Sequence, residues 1–263
     1  LVILNTKKDA FKLYKSFECY FNGNPQGQIE LIHLSTAMCP AHRLDTINAI
    51  KKKKQKDVLC ISTQLIEAGV DISFGCVIRA IAGMDSIAQA AGRCNRNGEY
   101  PEGKDVYIVN LAEENLSKLP DIKCGADITY RLIANNPSDL LSPEIMERYY
   151  KEYFNRQKAQ MYYPIGESIN LYDLLSINNK GTLACRNTGV AKLPALRQAF
   201  QTAGEKFSVI DQRTISVIVP YADAKELLEN YRYANIQERS ALLRQFGRYS
   251  VSLYHHEVDK LND

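Results

Sequence analysis

The chain has 263 residues, 45% of them hydrophobic and 24% charged, with a formal net charge of +3. That composition excludes a disordered or collagen-like chain and leaves a globular protein of one or two domains, while the charge is too small to argue for a nucleic-acid partner by itself. The seven cysteines form no C-x-x-C pair, which argues against a disulfide framework or a zinc site and predicts that most of them are small buried residues in a reducing cytoplasm. No run approaches the roughly 18 apolar residues of a membrane span, and no charged-then-apolar segment opens the chain. Leu1 already sits in a strand-like run, so a larger protein is expected to continue upstream.

From residue 1 to about 111, apolar runs alternate with helical patterns. LVILN is followed by a helix predicted over Lys7–Phe21 with Thr6 as its cap, then IELIHLS and a helix over Ala41–Ile50. VLCIST, CVIRAI, a helix in the stretch DSIAQAAGRCNRNGE at 85–99, and DVYIVNL complete the series. Runs that are apolar on both faces and separated by helices predict an α/β fold with a parallel sheet covered on each side. Ligands of such sheets bind beyond the carboxyl ends of the strands. That rule lines up Asn5-Thr6, Ser35-Thr36 and Ser62-Thr63-Gln64 along one rim, although each cluster alone is equally a helix cap or a turn. The lysine run KKKKQK at 51–56 closes a helix, where cations suit the macrodipole, and reads as a solvated helix end.

Beyond residue 112 the pattern changes. NNPSDLLSPE reads as a linker, a tyrosine-rich helix is predicted over Pro143–Tyr163, and a loop-rich stretch runs to about Val190. A helix near Leu193–Ala203, strands FSVID and TISVIVP, helices DAKELLENYRY and NIQERSALLRQF, and a last strand YSVSLY make a smaller α+β domain. The expected divisions are 1–135, a helical and loop-rich linker region at 136–190, and 191–263. Tyr149, Tyr150, Tyr153 and Tyr163 predict a packing stripe, with base stacking as the alternative. His255-His256 is expected at the surface.

Within 85–99, helical periodicity sets Ile87, Ala90, Ala91 and Cys94 on one side and Gln89, Arg93 and Arg96 on the other. Asp85 or Ser86 is the expected cap, Ser86 and Gln89 are spaced as a capping box, and Asn97-Gly98 is the expected left-handed stop. Solvated arginines on a surface helix account for the charge pattern. They do not account for Gly92, since an interior helical glycine costs about 1 kcal/mol relative to alanine and marks a close approach by something else.

In order, Thr63-Gln64, Glu67, Gly69-Val70-Asp71, Gln89, Gly92-Arg93 and Arg96 resemble the second RecA-like domain of superfamily 2 helicases. STQLIEAGVDISF looks like helicase motif V and QAAGRCNR like the Q-x-x-G-R-x-x-R box of motif VI; IHLSTAMCPAHR matches the preceding motif, with His33 and Arg43 at the expected separation. LSTAMCPAHR, STQLIEAGVD and DSIAQAAGRCNRNGE together are similar to the helicase-nuclease of type I CRISPR systems, and EKFSVID, TISVIVPY and LRQFGRYSVSLY to its C-terminal accessory domain. The resemblance implies a RecA-like domain followed by an accessory domain, forming the C-terminal half of an ATP-dependent single-stranded DNA translocase. The sequence has no G-x-x-x-x-G-K-[ST] phosphate loop, no acidic magnesium box and no histidine-aspartate nuclease motif. ATP and Mg²⁺ would therefore be held mainly by a separate first RecA-like domain, with a nuclease domain, single-stranded DNA and the CRISPR guide-RNA surveillance complex as further partners and no membrane.

The same resemblance assigns roles to residues. Arg96 is first choice as arginine finger and Arg93 second, with Gln89 positioning nucleotide or water. Gly69 and Asp71 face the nucleotide, and Gly92 lets the helix approach it. Thr63, Gln64, Ser35, Thr36, Asn5 and Thr6 contact the tracked strand. Two other readings stay open: the second domain of another superfamily 2 ATPase, and a non-catalytic nucleic-acid-binding or regulatory module with the same fold. Retention of Arg93 and Arg96 argues against the last, because a pure binding module has no use for a finger.

Overall fold

The computed structural model describes residues 1–23, 29–52, 57–160, 162–165, 169–187, 197–207 and 214–262. In chain order its elements are β1 (Val2–Leu4), α1 (Lys7–Gly23), β2 (Glu30–Leu34), α2 (Pro40–Lys52), β3 (Val58–Thr63), β4 (Val77–Ala80), α3 (Met84–Ala91) and β5 (Val106–Val109). After these come α4 (Pro120–Ala134), α5 (Pro143–Arg156), α6 (Leu171–Leu175), α7 (Asn179–Asn187), α8 (Phe200–Lys206), β6 (Thr214–Ile218), α9 (Ala224–Tyr233), α10 (Ile236–Phe246), β7 (Ser250–Tyr254) and α11 (His255–Asn262). They form two compact units, one of Leu1–Tyr149 with Thr214–Asp263 and one of Tyr150–Arg213.

The first unit is built on a five-stranded sheet of order β2-β3-β1-β4-β5, every pair parallel. Alternation along β1 shows why both faces must be covered. Ile3 packs with Leu34, Cys60, Val77, Ile50 of α2 and Ala90 of α3. Its neighbours Val2 and Leu4 pack with Ile61, Ala80 and Ala10 of α1, and Leu13 and Phe17 extend that layer. The register pairs Leu4 with Thr63 and Leu34 with Ser62, so the carboxyl ends of β2, β3 and β1 lie side by side. This is the α/β sheet expected from the apolar runs.

Residues 214–263 join this unit, although the sequence pattern had suggested a separate domain from 191. The reason is a shared core. Ala224 and Tyr249, with Ile218, Leu227 and Val251 beside them, pack on Cys39 and Ala41 at the start of α2. Strands β6 and β7 pair antiparallel. Tyr221 stacks on His42 with ring centroids 4.5 Å apart, and its hydroxyl donates to Asp45 Oδ2 at 2.9 Å.

A close approach of two helices depends on two glycines that carried no motif. A Cβ on Gly125 of α4 would fall 2.8 Å from the Cα of Gly83 and 3.0 Å from the Tyr149 hydroxyl. That hydroxyl donates to Asp85 Oδ1 at 3.0 Å, and Tyr149 is 2% exposed. Gly125→Ala is expected to lower stability by about 1–3 kcal/mol through overpacking, measured by chemical denaturation. An unchanged midpoint would mean that the helices separate at no cost.

The second unit holds the end of α5 together with α6 to α8. The tyrosine-rich helix stops at Arg156 rather than at Tyr163. Within this unit Tyr150 stacks on Phe154 at 5.9 Å and Tyr163 packs on Phe207 at 5.4 Å. Asn170 caps α6 with a full capping box to Asp173. The predicted FSVID strand beyond Phe207, the start of the predicted helix at Leu193, and residues 53–56 of the lysine run lie outside the described residues; Lys51 and Lys52 end α2 exposed. His255 and His256 open α11 and are exposed.

Candidate functional site

The stretch 85–99 folds differently from its helical reading in ways that decide what its arginines can do. Helix α3 starts at Met84 with Gly83 as N-cap and ends at Ala91, so neither Asp85 nor Ser86 caps it and the Ser86-Gln89 box is not used. Gly92 is not interior. It is the C-cap, exposed, with φ −64° and ψ 0°, and its N–H donates to Ala88 O at 3.0 Å. The helix stops because a neighbouring segment takes its backbone: Phe74 N–H donates to Arg93 O at 2.9 Å, and Asn95 N–H donates to Phe74 O at 2.8 Å. Asn95 takes the left-handed conformation at φ 47°, ahead of Gly98 at φ 67°.

This early stop separates the two arginines that periodicity had put on one face. Arg93 is 7% exposed, and its Nε and Nη2 donate to the carbonyls of Ile66 and Glu67 at 2.9 and 2.6 Å. Burial holds its guanidinium pKa below the usual value. Arg96 instead lies at the surface, its Nε donating to Asp71 Oδ1 at 2.9 Å and its Nη1 to Gly92 O at 3.3 Å. The hydrogen bond and charge of Arg96 hold the Asp71 carboxyl below its usual value of 3.8. A depressed carboxylate favours the folded pair above its unfolded pKa and loses that contribution as pH falls through the folded value, so the ion pair is intact at neutral pH. Gln89 is exposed on α3.

The segment facing these arginines leaves β3 through a short 3-10 turn, Gln64–Ile66. Gly69 then adopts φ +72°, a left-handed backbone that a glycine takes without strain. Nothing lies within 4 Å of where its Cβ would be. Glu67 is 5% exposed and reaches inward, where Oε1 forms an ion pair at 2.8 Å with Nε of Arg79 on β4. Burial pushes the Glu67 carboxyl up, while Arg79 and a hydrogen bond with Ser86 pull it the other way.

Along the rim, the three polar clusters come together at the ends of β2, β3 and β1, but their side chains are differently engaged. Asn5 is 6% exposed; its Nδ2 donates to Ile81 O and to Glu114 Oε2, both at 2.9 Å, and its Oδ1 accepts from Arg79 Nη1 at 2.7 Å. Thr6 caps α1 as expected, Oγ1 accepting from Asp9 N–H at 3.0 Å and donating to Asp9 Oδ2 at 2.6 Å. Ser35 is fully buried and its Oγ accepts from Ala37 N–H at 3.3 Å, whereas Thr36 is exposed. Thr63 is 8% exposed and makes no side-chain cap hydrogen bond; Gln64 is half-buried. Sequence reasoning missed Arg79 and Glu114 altogether, and quoted Glu67 only as part of a motif. A charge inside the apolar run CVIRAI was the available signal, since a buried arginine demands partners.

The described residues gather no group of three His, Cys, Asp or Glu able to hold a metal, and none of their helices is long and apolar enough to cross a membrane. The covered parallel sheet carries the loop after β3 and the arginine-bearing loop after α3 side by side, joined by the hydrogen bonds of Arg93 to the carbonyls of Ile66 and Glu67. Residues 1–99 match the sequence profile of the CRISPR-associated nuclease/helicase Cas3, C-terminal region. Two relatives of that name are similar. The one from Haloferax volcanii is 57% identical over 54 residues, 20% of this chain and 6% of its own length; that from Methanothermobacter thermautotrophicus is 26% identical over 161 residues, 60% of this chain and 18% of its own. The chain is thus similar to the C-terminal region of Cas3 over its first 99 residues, and it spans less than a fifth of the length of either relative. A solved structure described as a CRISPR-associated protein shares the fold across 98% of this chain and 32% of its own, with a TM-score of 0.52 at 15% identity.

Proposed function

We propose that this chain supplies the second RecA-like half of an ATP-dependent single-stranded DNA translocase in a helicase-nuclease acting in CRISPR interference, with Arg96 as its arginine finger. The observation that carries the reading is the difference between the two arginines of one motif. Arg93 is buried against carbonyls, while the Arg96 side chain is 42% exposed and held by a carboxylate that is itself 74% exposed. A surface guanidinium on one exposed carboxylate exchanges partners at little cost, as a group that must reach an incoming phosphate requires.

ATP would lie between this domain and a first RecA-like domain that holds its terminal phosphates and Mg²⁺. Gln89 would help position nucleotide or water, with Gly69, Asp71 and Gly92 facing the nucleotide. The open backbone at Gly69 fits a nearby phosphate. Single-stranded DNA would cross Ser35-Thr36 and Thr63-Gln64 and reach Asn5-Thr6, where the Asn5 amide is already committed and the contact would come from backbone at the start of α1. Such phosphate contacts set position and read no sequence. A nuclease domain and the guide-RNA surveillance complex complete the assembly, in the cytoplasm.

The test compares the complete enzyme with this chain by itself. The complete enzyme is expected to hydrolyse ATP faster with single-stranded DNA of any sequence, and the isolated chain to hydrolyse none. DNA-stimulated hydrolysis by the isolated chain, or stimulation confined to one DNA sequence, would overturn the proposal.

A further inference from the structure

Arg79 is an expensive residue to keep in the centre of a parallel sheet. Its side chain is wholly inaccessible and burial lowers its pKa, yet well-packed apolar residues often serve stability as well as a buried ion pair does. What the guanidinium does is join segments that are far apart in sequence. Nη1 donates to Asn5 Oδ1 at 2.7 Å and to Ala80 O at 2.8 Å, and Nε pairs with Glu67 Oε1 at 2.8 Å. Asn5 is fixed from its other side by Ile81 O and Glu114 Oε2. Glu67 in turn presents its own carbonyl to Arg93 Nη2 at 2.6 Å, and Arg93 lies three residues before Arg96.

A contiguous chain of contacts therefore runs from the end of β1, through Arg79 and Glu67, to the backbone that seats Arg93. We propose that Asn5, Arg79, Glu67 and Arg93 form the coupling element of the motor. A strand bound to the backbone at Asn5-Thr6 shifts that turn and carries the Asn5 amide with it, the planar guanidinium passes that shift to the Glu67 carboxylate, and the carbonyls of Ile66 and Glu67 reset Arg93 and with it Arg96. Arg79 and Glu67 are positioning residues here, since neither reaches the surface where nucleotide or DNA would lie. The coupling rests on the translocase reading above. Two physical facts favour it over a purely structural tie: the outer links are hydrogen bonds and the central one is a buried ion pair whose Nε and Oε1 make no aligned hydrogen bond, a contact free to shift, and both ends fall on loops rather than in the sheet.

The decisive variant removes both buried charges together, Arg79→Met with Glu67→Gln, in the complete enzyme, because removing one alone strands the other. Thermal melting and anisotropy of a fluorescein-labelled oligothymidine report folding and DNA binding, and ATP hydrolysis is measured with and without that oligonucleotide. The expected result is a folded, DNA-binding enzyme whose ratio of stimulated to unstimulated hydrolysis falls about tenfold, within the usual range of coupling between sites. An unchanged ratio in the folded double variant would overturn the coupling chain and leave the translocase reading standing. A wild-type enzyme without DNA stimulation would overturn both. Hydrogen exchange on the wild-type enzyme decides the matter independently of whether the variant folds: adding oligothymidine without nucleotide is expected to change amide protection over residues 64–71 and 93–96. No change there would sink the proposal.

Discussion

Replacing Arg96 by alanine in the complete enzyme is expected to cut kcat for ATP by about 10³-fold or more, the range in which arginine fingers contribute. The KM for ATP should move little, because the interaction is made mainly as charge develops on the transferred phosphoryl group. Arg96→Lys should fail nearly as badly, since an ammonium cannot reproduce the planar fork. The structure sharpens this expectation by separating Arg96 from Arg93. Arg93 holds two carbonyls in a buried site, so Arg93→Ala should lower the melting temperature as well as the rate, whereas Arg96→Ala should leave melting close to wild type. Steady-state kinetics beside thermal melting of both variants makes the comparison. Full specific activity in Arg96→Ala would return that residue to the role of a solvated surface charge.

Glu67→Ala is expected to be the most destabilising single change in the first compact unit. It leaves the Arg79 guanidinium, with 0% side-chain exposure, without its carboxylate, and stranding one member of a buried pair costs about 3–5 kcal/mol. A loss of that size is a large fraction of the roughly 5–15 kcal/mol by which domains are stable. Chemical denaturation of the variant measures it. A midpoint indistinguishable from wild type would mean that Glu114 and Asp85, whose charges also act on Arg79, hold the guanidinium without help.

Sheet and helices were legible in the sequence wherever local pattern and tertiary environment agree. VLCIST and CVIRAI are apolar on both faces because both faces are covered, and α1 keeps its Thr6 cap because a cap is a contact within four residues. The end of α3 was not legible. It is set by Phe74, some twenty positions away in sequence, whose backbone takes the groups that another helical turn would have used. For the same reason Gln89, Arg93 and Arg96 do not share a helical face, and the glycine that seemed interior is a cap. The resemblance put Arg96 and Asp71 near the same nucleotide without pairing them, and neither that ion pair nor the burial of Arg93 was legible, since the acceptors of Arg93 are carbonyls and no residue type advertises a carbonyl. Asn5 illustrates the converse. An amide at a strand end reads as a rim residue, and only the charge inside the neighbouring strand could have shown that it faces inward.

Packing of β6, β7 and α9 on the start of α2 also sets a timetable for biosynthesis. Asp45 and Tyr221 are joined across 176 residues of chain, so at about 5–20 residues per second the ribosome needs roughly 10–35 s to deliver the second partner after the first. Through that interval Cys39, Ala41 and their neighbours on α2 have no Ala224 or Tyr249 to cover them. The nascent chain therefore presents an apolar face while the intervening Tyr150–Arg213 unit is being made, and this is the stage at which a chaperone gains most by holding it. Slowing translation between residues 150 and 220 should lengthen that exposure and reduce soluble yield, without any change in the finished protein.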